Sequence, residues 1–274
     1  MHSIYGGVPR ALLAAILLLA GCSRNDARAK LVLTGSSTVA PLAAEIGKRF
    51  ESLHPGVHVD VQSGGSGRGV TDARQGLADI GLVSRALKDD EKDLTPHTVA
   101  LDGVCVILHK DNPISTLKDD QVVAIYTGKL TNWKEAGGKD APITVVNKAD
   151  GRSTLELFCH YYKIKNTDIK AHVVIGDNQQ GIKTVAGNPD SIGYVSIGTA
   201  EYEAGHGSAI KLLPCSGVAA SIENVKNKSF PLSRPLNLVT KSAATGLTKE
   251  FIDFAQSDKV HDIVKEQYFV PITR

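Results

Sequence analysis

The sequence has few aromatics, almost no charge imbalance, only four cysteines and no apolar run long enough to span a bilayer. Aromatics make up 5% of it, with a single Trp, which argues against the stacking platforms that hold single-stranded nucleic acid. Lys and Arg number 31 against 29 Asp and Glu, a formal net charge of +2. The chain therefore lacks the basic excess of a nucleic-acid binder and the one-sided charge of a disordered, self-repelling polymer. Four cysteines in 274 residues are too few for a disulfide-built scaffold, and no pair has zinc-finger spacing. What is present is 26 glycines and 42% hydrophobic residues. That is enough apolar material for one large core or two smaller ones, with glycine-built loops between elements.

The first apolar run, Ala11–Ala20, follows Arg10 and would cross only about half a bilayer as a helix. A basic start, a short apolar centre and small residues before a cut form the pattern of an export signal. Leu19-Ala20-Gly21-Cys22 resembles the bacterial lipobox, which implies removal of residues 1–21 and a lipid on Cys22. The protein is then expected to be exported and lipid-anchored to a bacterial membrane. The alternative is an ordinary signal peptide with a chance cysteine. Residues 22–29 are polar and without apolar periodicity, and read as a tether. Of the other cysteines, Cys105 lies in the apolar run 103–108 and is expected to be buried. Whether Cys159 and Cys215 are bridged is left open.

Beyond the tether, strand-like runs alternate with helical patterns. Lys30–Leu33 reads as a strand, Val39–Leu53 as a helix with Leu42, Ile46, Phe50 and Leu53 on one face, and Val57–Val61 as a strand. A short helix over Gly69–Leu77 and a strand at Ile80–Val83 complete a first βαβαβ set. A second set begins at Val104–Leu108 and runs through a helix at Asp119–Tyr126, a strand at Ile143–Val146 and a helix at Thr154–Tyr162. Helix Gly181–Ala186, strands Ile192–Val195, Ile210–Leu213 and Leu236–Val239, and one amphipathic segment, Leu247–Val264, follow. The pattern predicts an α/β fold with mostly parallel sheets flanked by helices.

Ligands of open α/β sheets bind beyond the carboxyl ends of strands. Four such exits share one chemistry here: Gly35-Ser36-Ser37-Thr38, Ser63 to Gly69, Ser84-Arg85, and Asp150-Gly151-Arg152-Ser153-Thr154. Three of them lead into helices, whose first N–H groups are unpaired and carry partial positive charge. Any one loop is explained by ordinary N-capping, worth about 1 kcal/mol. The recurrence at four exits in two sets points instead to an anion site made of hydroxyls, helix starts and one arginine.

The motifs GSSTVAP at 35–41, SGGSGRG at 63–69, ADIGLVSR at 78–85, YTGKLTNWKEAGG at 126–138, ADGRST at 149–154, SIGYVSIG at 191–198 and YFVP at 268–271 occur in one order. Together they resemble the periplasmic-type phosphate-binding proteins, the substrate-binding lipoproteins of the phosphate ABC transporter. The resemblance implies a two-lobed type II fold joined by hinge strands, with lobe I at 30–101 and 235–274 and lobe II at 102–234. It implies a monomer that closes on inorganic phosphate and delivers it to a membrane permease, without a cofactor, a metal or a nucleic-acid partner. The implied ligand set is Ser36, Ser37, Thr38, Ser66, Gly67, Ser84, Arg152, Ser153 and Thr154, with Lys148 and Asp150 behind it. Three positions depart from the common pattern: Ser84 stands where a carboxylate is usual, Lys148 where an arginine is, and Arg152 where a serine is. A carboxylate repels an anion that has no proton to offer, so its replacement by serine predicts weaker rejection of sulfate.

Other chemistry finds no support. Gly128-Lys129 lacks the upstream glycine of a nucleotide loop, since position 123 is Val123, and Ser66 lacks the Gly-x-Ser-x-Gly frame. Pro55-Gly56 separates His54 from His58. No catalytic constellation is left. The alternatives that remain are binding of sulfate or molybdate, a role in sensing without transport, and a phosphate-ester hydrolase that uses one of the loop serines.

Overall fold

The computed structural model describes residues 29–272; the leader, Cys22 and most of the tether lie outside them. Ten strands are described: β1 Ala29–Gly35, β2 Val57–Ser63, β3 Ile80–Val83, β4 Thr95–His109, β5 Thr144–Lys148, β6 Val173–Ile175, β7 Ser191–Ser196, β8 Ile210–Leu212, β9 Ser233–Thr240 and β10 Val270–Pro271. The α-helices are α1 Val39–Leu53, α2 Ser66–Gln75, α3 Asp119–Tyr126, α4 Ser153–Tyr162, α5 Asn178–Ala186, α6 Ile197–Gly205, α7 Ile222–Lys226, α8 Gly246–Ala255 and α9 His261–Glu266. The strands follow the order β2-β1-β3-β9-β4-β7-β5-β6, with β8 and β10 also paired to β4.

The wings of this sheet are parallel: β1 with β2 and β3, and β5 with β6 and β7. Its centre is antiparallel, because β9 pairs with both β3 and β4, and β4 with β7. The expected parallel sheets are thus the two wings, joined by strands of opposite direction.

Two large apolar cores, and a small cluster of Val70, Val83, Leu94 and Val239, lie on this frame. One gathers Leu31, Leu33, Leu42, Ile46, Phe50, Ile80 and Leu82 with Leu236, Leu238 and Phe251. Leu42, Ile46 and Phe50 recur every four residues and so share one buried face of α1. Leu53, expected on that face, is 57% exposed at the end of the helix. Phe50 meets Phe251 edge-on at 5.3 Å. The other core draws on 104–232 and packs Phe158 flat on Tyr194 at 4.0 Å, with Tyr126 and Trp133 buried nearby. The Trp133 indole N–H donates to the Asp190 carbonyl at 3.0 Å, which satisfies the polar end of an otherwise apolar ring. Cys105 is buried as expected, and Cys105, Cys159 and Cys215 are all free thiols.

β4 belongs to both cores. Its first part pairs with β9 and its last part with β7 and β8. The segment read as one helix, Leu247–Val264, is two, α8 and α9. Ser257 ends the first of them by placing its N–H (3.1 Å) and its hydroxyl (2.7 Å) on the Phe254 carbonyl.

Candidate functional site

The four loops meet around one small cavity lined by Ser36, Ser37, Thr38, Gly65, Ser66, Ser84, Lys148, Arg152, Ser153 and Thr154. Of the sequence-predicted set, only Gly67 and Asp150 are turned elsewhere. The Gly67 N–H donates to the Gly151 carbonyl at 3.1 Å, and Asp150 accepts from the Asn166 amide at 2.7 Å. Gly65 lies at the wall where Gly67 was expected.

Each loop is held by its own local bonds. After β1 the chain turns at Gly35, which has φ +135°, a value that L side chains rarely adopt. Ser36 then accepts from the Thr38 and Val39 N–H groups at 3.2 and 3.3 Å, capping α1, and its hydroxyl donates to Ser84 Oγ at 2.9 Å. The ordinary N-cap role therefore applies to Ser36. The second loop is pinned to the first: the Gly64 and Gly65 N–H groups both donate to the Gly35 carbonyl, at 2.7 and 2.8 Å. Ser66 opens α2 and its Oγ accepts the Ser84 N–H at 3.1 Å. From the other wing, α4 begins at Ser153 directly after Arg152.

Two donors in this cavity are buried without a partner. Arg152 Nε and Ser153 Oγ find no hydrogen bond, although each is shut off from solvent. Desolvated polar groups of this kind cost roughly 1–3 kcal/mol unless something binds them, and both lie where α4 presents its first turn.

The residue that sequence reasoning missed is Arg234. It is 2% exposed on β9 and reaches beneath the loops. Its Nη1 donates to Thr154 Oγ1 at 3.2 Å and Ser84 Oγ at 3.4 Å, and its Nη2 to Thr38 Oγ1 at 3.2 Å. Asp102, wholly buried and opposite Arg234 in the β4–β9 register, accepts from Nε at 3.1 Å and Nη2 at 2.8 Å. Asn178, at the start of α5, was also missed. Its amide donates to Thr38 Oγ1 at 3.1 Å while its carbonyl oxygen accepts from Lys148 Nζ at 2.9 Å. Burial, then Arg234, lowers the Lys148 pKa to about 7, with Arg152 adding to the effect and Asp177 opposing it.

The wall is thus made of hydroxyls, helix-start N–H groups and two basic side chains, Lys148 and Arg152, with no carboxylate among its lining residues; Arg234 lies beneath it, bonded to Thr38, Ser84 and Thr154. Asp102, the nearest acid to the basic cluster by its bonds, is spent on Arg234. Among the described residues no group of three or more His, Cys, Asp or Glu is placed to hold a metal ion. The arrangement is chemically suited to a small, compact, multiply charged oxyanion.

Residues 22–259 match the model of the PBP superfamily domain. The chain belongs to the PBP superfamily. As a PBP-superfamily protein it has the two-lobed type II fold, and its relatives cover nearly its whole length. It is 29% identical to the phosphate-binding protein PstS of Bacillus subtilis, over 96% of this chain and 92% of that one. A solved structure from Clostridium perfringens, a candidate phosphate ABC transporter substrate-binding protein with bound phosphate, is 35% identical with a TM-score of 0.81, over 89% of this chain and 100% of that chain. An ABC-type phosphate transport receptor from Vibrio cholerae is 28% identical with a TM-score of 0.74, again over 89% and 100%.

Proposed function

We propose that this PBP-superfamily protein binds inorganic phosphate in the cavity between its two lobes and delivers it to the permease of an ABC transporter. The observation that carries the reading is the pair of buried, unpartnered donors, Arg152 Nε and Ser153 Oγ, beside Lys148 and above Arg234. Phosphate supplies four oxygens to such donors and enough negative charge for the surrounding cations. Thr38, Ser66, Ser84, Arg152, Ser153 and Thr154 are the proposed ligands, with Ser37 at the mouth and Arg234 fixed beneath. Ser36, as the cap of α1, positions the first loop.

The relatives support an extracytoplasmic role. Among the described residues no helix is long and apolar enough to cross a membrane. We assign attachment to a lipid on Cys22, action as a monomer, and binding without catalysis. Calorimetric titration of the delipidated protein with phosphate tests the reading: saturable one-to-one binding is expected, weakened at least tenfold in Arg152→Ala. Absence of heat or competition with phosphate at millimolar concentration overturns it.

A second reading, a broader oxyanion specificity, is favoured by one observation: Ser84 is backed by Arg234 and the cavity wall has no carboxylate. Sulfate is then a measurable competitor at millimolar concentration, and undetectable sulfate binding excludes this extension.

A further inference from the structure

Lys148 closes β5 with its side chain inside the cavity, 2% exposed. An ammonium has three N–H groups, and this one has a single hydrogen-bond acceptor, the neutral Asn178 Oδ1 at 2.9 Å. The groups around it, element by element, do not complete its shell. From β7 the Tyr194 hydroxyl donates to Asn147 Oδ1 at 2.6 Å and meets only the backbone N–H of Lys148, at 3.4 Å. Ahead of α5 the Asp177 carboxylate caps its own helix through the Gln180 N–H at 2.8 Å. Asp150, on Lys148's own loop, is turned to Asn166. From β9 and from the start of α4 come two like charges, Arg234 and Arg152, both acting to expel the ammonium's proton. Asp102, among the described residues the only carboxylate bonded to that pair of arginines, is committed to Arg234.

A buried amine between two guanidiniums favours its neutral form. An oxyanion among these groups reverses the balance, because it brings both acceptors and negative charge to Nζ. We propose that Lys148 takes up a proton from solvent as the anion binds, so that the loaded cavity holds one more positive charge than the empty one. The inference rests on the phosphate reading above and adds to it the regulation of that site by pH.

The sign follows from linkage. With an empty-state pKa near 7 and a higher one when loaded, Lys148 is already charged below pH 7 and takes up no proton there. Between the two values binding takes up as much as one proton, and affinity falls by up to about tenfold per pH unit as pH rises.

The test is calorimetric titration with phosphate at pH 8 in buffers of different ionisation enthalpy. Wild type is compared with Lys148→Arg, which keeps a fixed charge, and Lys148→Met, which has none. Free phosphate is the same mixture of species in every titration, so the difference between proteins isolates the lysine. Wild type is expected to take up close to one proton more than either variant, and its Kd to rise more steeply above pH 7 than that of Lys148→Arg. Lysine 13Cε shifts give a second readout without substitution: one resonance titrating near pH 7 in the empty protein and not in the phosphate complex. Equal proton counts in proteins that all bind phosphate, or a lysine resonance unmoved by ligand, overturn the coupling alone. A wild type that does not bind phosphate overturns the ligand assignment and this inference with it.

Discussion

Arg234 holds more of the cavity together than any residue whose sequence neighbours mark it out. It sits in a plain strand, between Ser233 and Pro235, with no glycine run and no helix start beside it. Only the pairing of β4 with β9 sets it against Asp102 and under Thr38, Ser84 and Thr154. The hydroxyl loops were legible because a helix start after a strand is a local pattern; the cation that ties them together was not, because its partners lie 132 and 196 residues away in sequence. Arg234→Met should leave the Asp102 carboxylate buried and unpaired, a loss of about 3–5 kcal/mol in urea unfolding. Adding Asp102→Asn to that variant should return part of it. Ser84→Asp places an acid against Arg234 at the cavity, and is expected to weaken sulfate binding far more than phosphate binding in competition titrations, since sulfate has no proton to donate.

At the level of elements, the elements of the first wing were readable from their periodicity, and α1 begins and ends where its apolar spacing predicts, at Val39 and Leu53. The exception is α2, which starts at Ser66 rather than Gly69. Ser66-Gly67-Arg68-Gly69 has poor helix propensity and reads as loop, but tertiary contacts decide otherwise. A Cβ at Gly69 would lie 2.7 Å from the Leu82 carbonyl oxygen and 2.8 Å from that of Thr34. These glycines let the helix rest directly on the backbones of β1 and β3, which brings Ser66 to the cavity. Gly69→Ala should therefore push α2 off the sheet, costing about 1–3 kcal/mol of stability in denaturant unfolding. It should also weaken phosphate binding, although residue 69 does not line the cavity. The α8–α9 break was hidden for the opposite reason: apolar periodicity continues through it, and the stop lies in a hydroxyl bond from Ser257 that has no signature in the pattern.

Across the whole molecule, the two wings are fastened to each other by bonds that cross between them. Gly67 reaches Gly151, Asn178 reaches Thr38, and Glu156 on α4 accepts from Arg85 at 2.5 Å and Lys88 at 2.9 Å. Burial works against the Arg85 charge, but Glu91 and Glu156 outweigh it and hold the guanidinium above its ordinary pKa. Arg85 keeps its bidentate bond to Glu91, at 2.6 and 2.8 Å, when Glu156 is lost. Glu156→Gln should thus change unfolding stability by about 1 kcal/mol or less. Phosphate release, followed by stopped flow with a coupled phosphate sensor, should be several-fold faster, because the lost bonds tie one wing to the other across the cavity. Equal release rates would show that Glu156 has no part in retaining the anion.

The division between the two cores leads us to expect an order of assembly in time. The core built on 104–232 comes, Val270 apart, from one stretch of chain, whereas the other needs β1 and α1 together with β9, α8 and α9 from the far end of the sequence. A chain emerging from its N-terminus can complete the first while Phe50 still waits for Phe251. Arg234 arrives late as well, on β9. Until then the four loops lack the guanidinium that ties Thr38, Ser84 and Thr154 together, so the anion cavity is expected to be among the last features of the molecule to be assembled.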